Sequence, residues 1–263
     1  MEEKKSFKIV SSKKTRYILP NILTLIGVCL GISSIKFSLD QNYSLAIIFI
    51  LIAALLDALD GRIARLIKGT SEFGKELDSL TDFVSFGVAP AFIMYFWELK
   101  NYGKMGWAIT LIFSVCCVIR LARFNLTSFN DDEDWKQNFF EGVPSPAGGL
   151  MILFPLIYEL SNFEIDFEIK KTTPYLVVFV AMMLISKLPT FSFKKIRIPP
   201  KLTIFILFFI GVAFVSLIFF TFESLVVLSL AYLFLLPISA FTYIKKIKKL
   251  KKTLSEDDHE DVL

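Results

Sequence analysis

The sequence predicts an all-α protein that crosses a membrane several times. Of its 263 residues, 54% are hydrophobic, above the roughly 45–50% of soluble domains, and the mean hydropathy is +0.60. Charged residues, 21% of the chain, are confined to the two ends and to short stretches. Between those stretches lie apolar runs of about 17–25 residues, the length at which a helix crosses ~30 Å of hydrocarbon.

Taken in order, the runs predict eight helices, at about 18–37, 44–66, 80–98, 105–125, 145–160, 173–188, 202–220 and 223–243. The first is opened by Pro20 and Asn21, after a basic, Ser/Lys-rich segment, 1–17, that reads either as a solvated tail or as a strip on the membrane surface. The second closes with Asp57 and Asp60, and Asp78 and Asp82 open the third. Arg120 and Arg123 close the fourth, and Pro144-Ser145-Pro146 marks the entry to the fifth. The seventh and eighth are almost uniformly apolar and offer few groups for chemistry; the charged tail 245–263 begins Lys245-Lys246-Ile247-Lys248-Lys249. An even number of spans puts both termini on one side. Of the 29 Lys and Arg, all but Lys36, Lys100, Lys104, Lys170 and Lys171 then fall on that side, so the positive-inside rule makes it cytoplasmic. No cleavable leader is expected, because the first apolar run is long enough to span.

Several function classes are excluded at this stage. The net charge of +4 is spread along one membrane face, which speaks against nucleic-acid binding. Cys29, Cys116 and Cys117 fall inside predicted spans with no zinc-site spacing, so neither disulfides nor a zinc centre is expected. The single histidine, His259, lies in the acidic tail, which rules out a histidine base.

The chemistry concentrates between Leu56 and Pro90. At about 100° per residue, Asp57, Asp60, Gly61, Ala64 and Arg65 share an arc of roughly 140°, while Arg62 and Ile63 point elsewhere. Asp78 and Asp82, four apart, also share a face. Gly69 and Gly74 lie between the pairs and allow the chain to turn so that the two faces meet. A carboxylate inside a span costs on the order of 2.5–3.5 kcal/mol near the helix centre, and four together repel. Hard oxygen donors of this kind suit Mg²⁺, Mn²⁺ or Ca²⁺, and a pair of such ions serves phosphoryl transfer. Gly61 and Ala64 admit two readings, close approach of a nucleotide or close helix packing. Arg65 is placed to meet phosphate.

The pattern Asp57-x₂-Asp60-Gly61-x₂-Ala64-Arg65-x₈-Gly74-x₃-Asp78-x₃-Asp82 resembles the signature of the CDP-alcohol phosphotransferase family without a departure. The resemblance implies a six-helix catalytic core at 18–195, to which residues 196–244 add two spans. It implies displacement of CMP from a CDP-linked lipid by an alcohol, assisted by a divalent metal, Mn²⁺ or Mg²⁺, in two copies. Asp57, Asp60 and Asp78 would hold metal, and Asp82 would lie near metal and act as the base. Asn21, Gly61, Ala64, Arg65 and Gly74 would form the nucleotide and diphosphate site.

Further segments, Leu19–Gly27, Asp78–Phe92, Arg120–Asn125, Phe139–Gly149 and more weakly Ile185–Lys195, resemble members whose donor is CDP-diacylglycerol and whose acceptor is L-serine. On that reading Arg120, Arg123 and Asn125 bind the serine carboxylate or a lipid phosphate; topological anchoring is the competing role of the arginines. Glycerol 3-phosphate, inositol phosphate and choline remain alternative acceptors. An ion-coupled transporter is the alternative of a different class, disfavoured because the acids gather at one boundary. Membrane lipids are the surrounding partners, and the resemblance leaves room for a homodimer in the cell (inner) membrane.

Overall fold

A computed structural model describes residues 18–67, 71–127, 139–163, 168–186, 189–191 and 200–260. The basic segment 1–17 and Gly69 lie outside them. The chain forms two compact units, one ending at Leu121 and one beginning at Ala122.

The first unit holds α1 (Ile18–Leu39), α2 (Tyr43–Leu66), α3 (Glu72–Asp82), a π-helical turn (Phe83–Val88), α4 (Ala89–Trp97), a short 3₁₀ turn (Leu99–Tyr102) and most of α5 (Gly103–Thr127). Helix α1 buries Pro20, Thr24, Gly27, Gly31, Ser34 and Ser38, a stripe of small and polar residues spaced alternately four and three apart. Such a stripe lets helix backbones approach closely inside a membrane. Helix α1 accordingly packs on α2, on α3, on the π-helical turn and on α4. The tightest approach is at Gly31, where an added Cβ would lie 2.7 Å from Ser85 Oγ and 3.0 Å from Ser85 Cα. Ser85 Oγ donates to the Gly27 carbonyl at 3.1 Å. The opposite face of α1 leaves Leu25, Ile26 and Ile32 exposed, as a lipid-facing surface requires. Ile47, Ile50, Phe86, Ile93, Met94 and Phe113 form the core of the unit.

The second unit contains β1 (Phe139–Glu141), α6 (Ser145–Ile152), α7 (Phe154–Leu160), α8 (Ile169–Ile185), β2 (Pro189–Phe191), α9 (Pro200–Phe219) and α10 (Thr221–Glu260). The three-residue strands pair antiparallel, Phe140 opposite Thr190. Gly142, between β1 and α6, adopts φ 78°, and an added Cβ would stand 2.8 Å from the Ser186 carbonyl. Only glycine meets both demands there without strain.

All five helices among the described residues that are long and apolar enough to cross a membrane, Ile18–Leu39, Tyr43–Leu66, Glu72–Trp97, Leu99–Leu126 and Thr221–Ser239, support an all-α polytopic membrane protein; Leu207–Phe219 is a shorter apolar helix. Three boundaries differ from the sequence-based expectation, each for a physical reason. The third helix starts at Glu72 rather than near 80, because Ser71 caps it by accepting from Gly74 N, and its first turns are too polar for hydropathy to detect. The fifth is broken at Leu153 into α6 and α7, since Pro155 lacks the N–H that a continuous helix needs. The last continues to Glu260 as one 40-residue helix, because charge ends a membrane span without ending a helix.

Candidate active site

Two helices of the first unit carry the aspartates. Asp57 and Asp60 lie in the last three turns of α2, and Asp78 and Asp82 in the last two turns of α3. The fold brings one carboxylate oxygen each from Asp57, Asp60 and Asp78 to within 4.8 Å of one another. Asp82 interacts with Asp57 and Asp78, and its Oδ1 is buried with no hydrogen-bond partner among the described residues.

Compensation for this negative charge is sparse. Asp60, only 4% exposed, accepts a hydrogen bond from Thr24 Oγ1 at 2.7 Å. Arg120, near the end of α5 and 8% exposed, interacts electrostatically with Asp57 and Asp82. Like unit charges ~5 Å apart at an effective dielectric of ~20 repel by on the order of 3 kcal/mol per pair. Among the described residues, one arginine, one hydroxyl and the backbone N–H of Gly61 at Asp60 do not balance four carboxylates. An all-oxygen donor set with a buried, unpartnered carboxylate oxygen fits a hard divalent cation.

A family model described as CDP-alcohol phosphatidyltransferase matches residues 17–236 of this chain. The chain belongs to the CDP-alcohol phosphatidyltransferase family. Among similar proteins, a CDP-diacylglycerol–serine O-phosphatidyltransferase of Mycobacterium leprae is 38% identical over 187 residues, covering 70% of this chain and 61% of that protein. The protein of the same name from Helicobacter pylori is 33% identical over 199 residues, covering 76% and 82%. One from Methanocaldococcus jannaschii is 34% identical over 136 residues, or 51% and 58%. The chain thus aligns with less than two thirds of the mycobacterial relative's length.

The remaining residues of the phosphatidyltransferase signature divide by surroundings. Gly61 faces open space: an added Cβ would meet no described atom within 4 Å. Close packing against another described helix therefore does not explain this glycine. Arg65 is exposed and folds back so that its Nε donates to the Gly61 carbonyl at 3.0 Å, and Arg62, Arg65 and Leu66 line an open groove. Gly74 is enclosed: its added Cβ would lie 3.1 Å from Ser71 Oγ and 3.2 Å from Asn21 Oδ1, which places Asn21 at the start of α3. Ala64 is half-buried on α2.

Arg123 and Asn125 belong to the second unit. There Arg123 Nη1 donates at 2.7 Å to the carbonyl of Ile185, the last residue of α8, a carbonyl with no partner inside the helix. Arg120 and Arg123, treated alike in the sequence, thus have different surroundings. Sequence reasoning also missed Thr24; its only signal was a hydroxyl in an apolar run, on the face that carries Gly27 and Gly31.

Proposed function

We propose that this chain transfers the phosphatidyl group from CDP-diacylglycerol to L-serine, giving phosphatidylserine and CMP. The observation that carries the proposal is the convergence of Asp57, Asp60 and Asp78 within 4.8 Å, beside the buried Oδ1 of Asp82, in a membrane-embedded member of this family. The choice of serine rests on the names of the relatives and on the segments around Arg120 and Phe139–Gly149.

Asp57, Asp60 and Asp78, with Asp82 alongside, would hold a divalent cation, Mn²⁺ or Mg²⁺, in two copies if the family resemblance extends that far. When bound, it neutralises charge on the diphosphate and on departing CMP. The open flank at Gly61 and Ala64 lets the nucleotide approach the backbone of α2, and Arg65 meets phosphate; Asn21 and Gly74 shape the far side of that site. Asp82 Oδ1 takes the proton from the serine hydroxyl as its oxygen bonds to the phosphorus carrying diacylglycerol. The bond from that phosphorus to the CMP oxygen breaks, so CMP leaves with the electron pair. Arg120, beside Asp57 and Asp82, supplies the carboxylate or lipid-phosphate contact, and the helices of the first unit hold hydroxyl and phosphorus in line. The proposal puts the catalytic domain at 18–195 and the site at the cytoplasmic boundary of the cell membrane, where the nucleotide meets water while the acyl chains stay in lipid.

The test uses detergent-purified protein with CDP-diacylglycerol and Mn²⁺, offered serine, glycerol 3-phosphate, inositol phosphate or choline in separate reactions, with CMP release measured. Serine alone is expected to support substantial turnover. Turnover with glycerol 3-phosphate and none with serine overturns the acceptor assignment and leaves the aspartate chemistry standing.

A further inference from the structure

Thr24 lies on α1 and makes no part of the family signature, yet its hydroxyl reaches an aspartate of the cluster. Its Oγ1 is 2.7 Å from Asp60 Oδ2 and 3.0 Å from the Pro20 carbonyl, and its side chain is buried. A hydroxyl has one proton, so the two acceptors compete. A threonine in a membrane helix usually gives that proton to the carbonyl four residues back. In α1 the Pro20 carbonyl already stands opposite the backbone N–H of Thr24 in the helical ladder. An ionised carboxylate accepts only, and bonds to it are shorter and roughly twice as strong as neutral ones. Both the distances and the chemistry direct the proton to Asp60.

We propose that Thr24 is a positioning residue for the cation-binding carboxylates: by donating to Asp60 Oδ2 it fixes the orientation of that carboxyl group and leaves its remaining lone pairs to the ion. The inference rests on the cation reading of the aspartate cluster. It joins α1 to α2 across 36 residues of sequence. Asp60 is buried, with little water to reorient it, and the backbone N–H of Gly61 also bonds it, so losing the hydroxyl removes the tether to α1 and lets the carboxylate pivot on α2 relative to Asp57 and Asp78. Partners that orient a metal ligand typically change metal affinity 10–100-fold when removed.

The experiment measures Mn²⁺ binding to the full-length protein in detergent by the EPR signal of free Mn²⁺, a readout independent of turnover, beside metal-free thermal melting and CMP release as a function of Mn²⁺. Thr24→Val keeps the shape and removes the hydroxyl; Thr24→Ala removes it without the bulk; Thr24→Ser restores it. Thr110→Val is the control, because Thr110 is equally buried but donates only to the Gly106 carbonyl at 2.9 Å, within its own helix. Thr24→Val and Thr24→Ala are expected to weaken Mn²⁺ binding at least ~10-fold, with turnover recovering at high Mn²⁺. Thr24→Ser and Thr110→Val should stay within about threefold of the wild type. Wild-type affinity in either hydroxyl-free variant, or equal weakening in Thr110→Val, overturns the role of Thr24 and leaves the cation site intact. Absence of Mn²⁺ binding by the wild type overturns the cation reading itself, and this inference with it.

Discussion

Replacing Gly61 by Ala adds one methyl group to the flank of α2 that faces open space, and the consequences for stability and for activity point in opposite directions. The added Cβ meets no described atom within 4 Å, so no packing is disturbed. Inside a helix, alanine is favoured over glycine by roughly 0.8–1.0 kcal/mol. For a protein of this size each kcal/mol moves the melting temperature by roughly 2–4 °C, so Gly61→Ala should melt at the wild-type temperature or a few degrees above. The same methyl stands where the nucleotide is proposed to approach the backbone, and a displacement of ~1 Å of a bound reactant can cost on the order of 100-fold in rate. The expected result is a KM for CDP-diacylglycerol raised at least ~10-fold, measured by initial rates of CMP release at saturating serine and Mn²⁺, with an unchanged or higher melting temperature in the same detergent. An unchanged KM would refute the reading of this flank as a ligand site. A lowered melting temperature would show that Gly61 is packed against something after all.

Gly31→Ala is the structural counterpart: its methyl would collide with Ser85 Oγ and press on Ser85 Cα, a case of overpacking worth about 1–3 kcal/mol, so thermal melting should fall by several degrees. Asp82→Asn should lower kcat by at least ~100-fold, the scale for losing a general base, with Mn²⁺ affinity less affected than in Asp57→Asn; near-normal turnover would require another base. Turnover should vanish with EDTA and return on adding Mn²⁺ or Mg²⁺, and full activity in metal-free buffer would rule out the cation site. Arg123→Gln should cost roughly 1.5–3 kcal/mol of stability, the worth of a charged hydrogen bond, through loss of its contact with the Ile185 carbonyl. If thermal melting is untouched while the serine KM rises, the arginine serves the acceptor rather than the helix end.

The aspartate pairs were legible in the sequence because both properties that identify them are local: helical periodicity puts Asp57 with Asp60 and Asp78 with Asp82, and an acid in an apolar run is costly enough to need a reason. The all-helical membrane architecture followed from the same apolar runs. What stayed hidden depends on which helix lies against which. Thr24 shows no pattern until α1 is set on α2, and the difference between Arg120, facing carboxylates, and Arg123, on a helix end, does not exist in a string where they are three apart. Gly61 and Gly74 belong to one signature, yet one borders open space and the other is enclosed by Ser71 and Asn21. The break at Leu153 was readable in principle from Pro155, but the unbroken hydrophobicity on both sides masked it.

The π-helical turn at Phe83–Val88 follows directly after Asp82, and its wider winding accommodates one residue more than an α-helix would over the same rise. The two parts of this span therefore serve different masters: α3 aims Asp78 and Asp82 at the acidic cluster, while α4 aims Pro90, Ala91, Ile93 and Met94 into the core. Winding the same six residues as plain α-helix would turn the upper part against the lower by about 100°. Every chemically important side chain would still be present, and the aspartates would point the wrong way. The relation between the two faces thus lies in how the stretch is wound, which no single residue in it displays.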